Sequence, residues 1–563
     1  MSVSERFSSD RWVYVSIALL ALLAWGTILF APNALFWDDW VLANDDTIRM
    51  TRELGLPWVG YIDVALFALG PWTFKVVVIA STIVTGCLTY AISGRGLGLG
   101  RGERWMLAAL VVVLPLMAAR VVVSLSLYSW SLALFMVAWY LMVRRSPQDS
   151  GRLRYIFAAL LLFASYTTGS LLPFTILPVA HLALLGLKRD GSIVRNCIAF
   201  VWRFWYIFAA PVVFWVFRTL FLQPTGLYDK YNSVGELTAV PSYIKIILVA
   251  LVIGFAFVAA VLLYHAIGRV PRRRWVRDLL VTLALAASTG VLGIYLYFTR
   301  VTLSPVVGRI VPVTILICAI VFAIYALLEA RRARRAESQA RSTVPVLLAV
   351  GLLVLVLAML PYLVVGKLPT FADWETRHQL LMPFGVALII VAAVRAISLL
   401  GRPLWARAFA GVVVVAMLGT SMFVSLTLVA DWHRQMQVSA ALAESDIVRD
   451  SSMVVYVDTV RGLSYDNRGY AFYEFNGWLI TAFGDQKRLG VEVGSLEDVL
   501  GGSLDGLQYA ASRYGFGDYT PSDSNAFVKI VPVEGASWWG LLFDRPTITV
   551  EVTAVEDVRT LIP

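Results

Sequence analysis

Runs of about twenty apolar residues recur through the first 430 positions, and that is the length a helix needs to cross a bilayer core of about 30 Å. Thirteen such candidates can be read: 12–31, 71–93, 105–119, 122–143, 154–168, 170–187, 199–222, 241–268, 278–298, 309–330, 343–365, 380–399 and 405–430. The pairs 105–143 and 154–187 are short and interrupted by Pro115, Gly169 and Pro173. Broken helices at membrane depth are tolerated only where protein or a water-filled cavity covers the freed backbone. Hydrophobic residues make up 59% of the 563 and charged residues 15%. That composition excludes an ordinary soluble domain, a disordered chain and a collagen. Three cysteines, Cys87, Cys197 and Cys318, are too few and too scattered for a disulfide scaffold or a metal knuckle.

The formal charge of +10 divides unevenly. From Asp431 onward there are 10 Lys+Arg against 19 Asp+Glu, and before it 37 against 18. The basic residues fall in alternate loops: Arg95, Arg101 and Arg104, then Arg144 to Arg154, Lys188 to Arg195, Arg269 to Arg277, Arg331 to Arg341, and Arg402 with Arg407. Arg6 and Arg11 join that set. The positive-inside rule then puts the N-terminus in the cytoplasm and, after thirteen spans, the C-terminal part outside. The basic excess serves topology, and no nucleic-acid partner is expected. The expected place is the inner or plasma membrane.

After Val429 the texture changes. Met453–Asp458 and the run 547–552 alternate at period two, as half-buried strands do, while 438–449 and 495–500 read as helical. The expected fold class is therefore a polytopic α-helical membrane protein of about thirteen spans (1–430) followed by a small extracytoplasmic α+β domain (431–563).

Polar clusters at a membrane edge are functional candidates. The loop after the first span holds Trp37-Asp38-Asp39-Trp40 and then Asp45 and Asp46. Adjacent carboxylates in an apolar setting repel, which raises one pKa toward the range of a general base. Helix capping is the alternative, equally weighted for Asp45 and Asp46. A second outer segment, 366–379, holds Lys367, Arg377 and His378, the last two at the start of a span, where an arginine suits phosphate; an ion-paired capping loop is the alternative. Arg300 and Arg309 lie on a third outer segment, and Arg120 and Tyr228 mark further polar stretches. Outer arginines run against the charge bias; anionic headgroup binding and snorkelling both account for them. Tyr470, Tyr473, Trp478, Tyr514, Tyr519, Trp538 and Trp539 suit sugar stacking or a core. There is no Walker A, HExxH, GxSxG or CxxC motif, and the glycine-rich 94–102 follows no strand and reads as a basic turn.

This layout, with the acidic Trp37-Asp-Asp-Trp40 loop after span one and an outer C-terminal domain, resembles the GT-C superfamily of integral-membrane glycosyltransferases. The resemblance implies that Asp38 or Asp39 is the general base and that the donor is a polyprenyl-phosphate sugar. It implies an extracytoplasmic cell-envelope glycan or glycolipid acceptor and an inverting single displacement. Arg120, Arg300, Arg309, Lys367, Arg377 and His378 would hold the donor phosphate, and Trp37, Trp40, Asp45, Asp46 and Tyr228 would line the acceptor side. No cofactor is required; a divalent cation at the Asp38/Asp39 loop is the one alternative. Competing functions are a lipid-linked polysaccharide polymerase or ligase, a lipid or sugar transporter, and a scaffold.

Overall fold

The computed structural model describes residues 3–43, 47–96, 98–145, 151–186, 193–229, 343–364, 373–399, 403–465, 468–501, 523–543 and 545–561. Helices dominate the first part. α1 (Val3–Trp25) leads through a short 3-10 turn to the acidic loop, which carries α2 (Asp39–Leu42) and α3 (Thr47–Glu53). α4 (Pro57–Phe67), α5 (Trp72–Ser93) and α6 (Arg101–Val113) follow. α7 (Ser126–Val143), α8 (Arg152–Ser165), α9 (Ile176–Gly186), α10 (Ile193–Arg203) and α11 (Trp205–Phe221) complete the stretch before residue 230. α12 (Thr343–Val364), α13 (Met382–Leu399) and α14 (Pro403–Ala443) close the membrane part.

Among the described residues, five helices are long and apolar enough to cross a membrane, or up to seven if each bent pair is one span. The chain is thus a multi-pass membrane protein. Thirteen spans were expected; those at 241–268, 278–298 and 309–330 lie outside the described residues. The expected break in 105–143 is present and has a local cause. Pro115 has no N–H and drives Leu114 to an extended ψ of 125°, so α6 stops and a 3-10 helix, Pro115–Val121, leaves at 51°.

α14 spans 41 residues. At 1.5 Å per residue that is about 60 Å, roughly twice the hydrocarbon thickness. Its apolar first part ends at Ala430, and Asp431, Arg434 and Gln435 carry it on into the C-terminal domain. There it leads to α15 (Asp446–Asp450), β1 (Met453–Asp458), α16 (Phe472–Phe483), β2 (Leu489–Glu492), α17 (Leu496–Gly501), β3 (Asn525–Pro532), α18 (Trp538–Leu542) and β4 (Ile548–Val555).

The four strands form one sheet in the order β2-β1-β3-β4. β1 pairs in parallel with β2 (Val454 opposite Gly490) and with β3 (Val454 opposite Ala526), while β4 runs antiparallel to β3. A central parallel strand is covered on both faces, and β1 is buried accordingly. Val454 and Tyr456 face Val438 and Leu442 of α14 and Phe475, Trp478 and Leu479 of α16. Met453 and Val455 face Leu489, Val491, Leu496 and Val558.

Candidate active site

Three segments far apart in sequence meet at the acidic loop. The first is the loop itself. Its Asp39 is fully buried, and both carboxylate oxygens are occupied. Oδ2 accepts the N–H groups of Phe36 and Val123 (both 3.0 Å), and Oδ1 accepts that of Ser124 (2.7 Å). Asp39 therefore fastens the loop to the turn that opens α7. Lys75 of α5 supplies the compensating charge; its Nζ donates to the carbonyl of Val121 at 2.7 Å and lies 5.5 Å from the Phe36 ring. Burial pushes the Asp39 carboxyl up, against the pull of Lys75 and the three N–H donors.

Asp38 is different. It keeps partial exposure. Burial pushes its carboxyl up to about 6; the Arg377 charge and a hydrogen bond from Tyr473 oppose the shift, and Asp39 and Glu474 add to it. A carboxylate so placed is ionised at neutral pH yet basic enough to take a proton.

The second segment is the 3-10 helix Asp373–Gln379. It packs on Pro115–Val121, with the Ala119 N–H donating to Thr376 Oγ1 at 3.1 Å. The Arg377 guanidinium lies 4.5 Å from the Trp37 ring, and Trp37 stacks on Trp374 at 5.5 Å and 9°. His378 is buried against the Tyr362 ring at 4.9 Å.

The third segment is α16 of the C-terminal domain. Tyr473 reaches Asp38, and Glu474 Oε1 accepts the Trp37 N–H at 3.0 Å. Trp37 needs that restraint, because its φ of +49° lies in the left-handed region that side chains disfavour. Glu474 is fixed in turn. Arg468 donates to both its oxygens (2.6 and 2.7 Å) and to Asp431 Oδ2 (2.7 Å). Tyr470 donates to Asp431 Oδ1 at 2.6 Å and accepts from Arg434, which also grips Asp458 at 2.5 Å. Every charged member of this chain of contacts is at most 2% exposed.

Of the residues singled out from sequence, Trp37, Asp38, Arg377 and His378 come together. Trp40 is buried against Trp432 at 6.1 Å and under Gly477, so it joins the membrane part to α16. Tyr228 packs beside Tyr473 on Val41 and Met50, close to the loop. Arg120 is buried. Its guanidinium sits 4.3 Å from the Trp25 ring, donates to the Met117 carbonyl and lines a cavity of about 20 Å³, room for about one water, with Ser81, Thr82, Thr85 and Ser129. Asp45, Asp46, Arg300, Arg309 and Lys367 lie outside the described residues, as do Tyr514 and Tyr519. Tyr470 and Trp478 belong to the core of the domain. With both Asp39 oxygens taken by N–H donors, the aspartate pair does not present itself as a bidentate cation ligand. Among the described residues no three His, Cys, Asp or Glu side chains gather as a metal site.

Sequence reasoning missed Lys75, Glu474 and Asp63, and marked Tyr473 only as one of seven aromatics suited to sugar stacking or a core. A lone lysine in the apolar run 72–93 was a usable signal. So was Asp63, buried in α4, whose carboxyl is pushed up to about 7 by burial and by Asp39. Nothing local marked Glu474.

No family model and no curated protein matches the chain. Among solved structures, the crystal structure of ArnT from Cupriavidus metallidurans bound to undecaprenyl phosphate aligns over 97% of this chain and 98% of that one, with 14% identity and a TM-score of 0.27, a likeness too slight to carry an argument.

Proposed function

We propose that this chain is a GT-C-type membrane glycosyltransferase that moves a sugar from a polyprenyl-phosphate donor to a hydroxyl of an envelope glycan or glycolipid. The observation that supports the reading is the setting of Asp38: a carboxyl with its pKa moved to about 6, between Arg377 and Tyr473, in the loop that follows a membrane span. Asp38 takes the proton of the acceptor hydroxyl. The oxygen attacks the anomeric carbon, the bond from that carbon to the phosphate oxygen breaks, and the electron pair leaves with polyprenyl phosphate. Displacement in one step inverts the anomeric centre. Arg377 faces the developing phosphate charge, and Trp37 with Trp374 offers an aromatic face for a sugar ring. Asp39 serves as an anchor rather than a base, since both its oxygens already accept buried N–H groups. No divalent cation is needed when cations of the chain meet the leaving anion. Residues 1–430 form the transferase part and 431–563 an extracytoplasmic domain that completes the site.

The test is transfer by the full chain in proteoliposomes supplied with a labelled polyprenyl-phosphate sugar. Asp38→Asn, shown to be folded by its melting profile, is expected to lose transfer. Full transfer by that folded variant refutes the proposal.

A further inference from the structure

The turn between β3 and β4 is built unlike the rest of the sheet's edge. Residues 537–543 read Ser-Trp-Trp-Gly-Leu-Leu-Phe, and α18 forms inside them. Ser537 caps the helix by accepting the Gly540 N–H at 3.2 Å. Gly540 is required for the close approach to the following strand, since a Cβ there would meet Thr547 Cγ2 at 2.6 Å.

The position of this turn along α14 is fixed by three contacts. The Trp538 ring lies 5.4 Å from that of Phe423. His433 Nδ1 pairs with the Leu541 carbonyl at 2.9 Å, and Gln437 Nε2 donates to the Arg545 carbonyl at 2.8 Å. The segment therefore climbs α14 from residue 423 to residue 437. Phe423 lies eight residues before Asp431, where the buried ionic network begins. That places Trp538 about 12 Å nearer the membrane interior than the network. Leu542 packs against the core of the membrane part.

The other side of the turn is open. Trp539 is 63% exposed and Phe543 68% exposed. They continue a strip of exposed apolar side chains on α14 itself, including Trp405, Phe409, Val412, Val415 and Phe423. On a helix long enough to cross the bilayer, such a strip faces lipid. Arg545, exposed and level with Gln437, stands where phosphate headgroups begin.

We infer that residues 537–543 are an interfacial anchor, inserted into the leaflet on the side of the C-terminal domain, with Trp539 and Phe543 in contact with lipid. Tryptophan and phenylalanine at the boundary of headgroups and chains gain burial while the indole N–H keeps polar company. The anchor clamps the sheet to the bilayer on the side of α14 that carries the turn, so the domain does not rely on the ionic network alone. The inference stands on packing and exposure, and it holds whatever reaction the protein performs.

Spin labels placed one at a time by Trp539→Cys, Phe543→Cys and Glu551→Cys test it, in the full chain freed of its three native cysteines and held in phosphatidylcholine–phosphatidylglycerol nanodiscs. Collision with oxygen is expected to exceed collision with a water-soluble nickel chelate several-fold at 539 and 543, and the order is expected to reverse at 551. Preference for nickel at 539 and 543 overturns the anchor. Shielding from both reagents overturns it too, because a second copy or another protein then covers the face. Should labelling unfold the chain, brominated lipid provides the second measurement. Wild-type tryptophan fluorescence is expected to carry a quenched component that Trp539→Phe loses; equal quenching in both argues against insertion.

Discussion

The backbone N–H of Trp37 donates to Glu474 across 437 positions of chain, at 3.0 Å. This bond ties the loop after the first span to the C-terminal domain, alongside the Tyr473 contact with Asp38 and the packing of Trp40 on Gly477. It holds in place a residue whose φ of +49° no side chain favours. Asp38, the next residue, inherits its direction from that backbone.

The two adjacent aspartates are expected to separate cleanly by mutation. Asp38→Asn lowers transfer by about 10²–10⁴-fold, the usual worth of a general base, with little change in melting temperature. Asp39→Asn instead destabilises the fold by about 2–3 kcal/mol, because three buried N–H donors lose an ionised acceptor and Lys75 loses its counter-charge. Melting and transfer measured on both variants decide the matter, and a stable, inactive Asp39→Asn would reverse the assignment.

Acid should silence the reaction. A base must be deprotonated, so kcat/KM is expected to fall as pH drops through about 6, the position of the Asp38 carboxyl. Arg377 and Tyr473 both hold that value down. Arg377→Gln and Tyr473→Phe are therefore expected to move the acid limb to higher pH. The stability effect has the opposite sense. The folded-state pKa is raised from 3.8 to about 6, so the Asp38 contribution is complete below about pH 4 and is lost as pH rises through about 6. Rate profiles of wild type and both variants test the shifts; unmoved limbs would show that another group titrates.

Removing Glu474 strands the buried Arg468 on Asp431 alone. Glu474→Ala is expected to cost about 3–5 kcal/mol, as breaking a buried ion pair does. Chemical denaturation measures it, and a cost below 1 kcal/mol, on the order of an exposed pair, would mean the network is solvated.

The strain at Trp37 is measurable by comparing Trp37→Gly with Trp37→Ala. Both lose the stacking on Trp374 and the Arg377 contact, and only glycine relieves the left-handed backbone. Glycine is expected to be the more stable by about 1 kcal/mol. Equal stabilities would indicate that the loop relaxes in both.

Gly477 of α16 lies under the Trp40 ring, where a Cβ would come within 2.3 Å. Gly477→Ala is expected to destabilise by about 1–3 kcal/mol, overriding the better helix propensity of alanine. A stabilised variant would show that the two parts pack less tightly than the ring position implies.

The sequence by itself determined the membrane character, the kink at Pro115, the change of texture after Val429 and the prominence of Trp37-Asp-Asp-Trp40. These are local properties: an apolar run, a missing N–H and a period of two are legible wherever they occur. Which aspartate keeps partial exposure, that Arg120 packs on Trp25, and that Tyr473 and Glu474 complete the loop were decided only by tertiary structure. Asp38 and Asp39 are the same residue in nearly the same sequence context. What distinguishes them is the set of N–H donors that Phe36, Val123 and Ser124 aim at one and not the other. Hydrogen-bond partners and burial across hundreds of positions come from packing, and no window of sequence contains them.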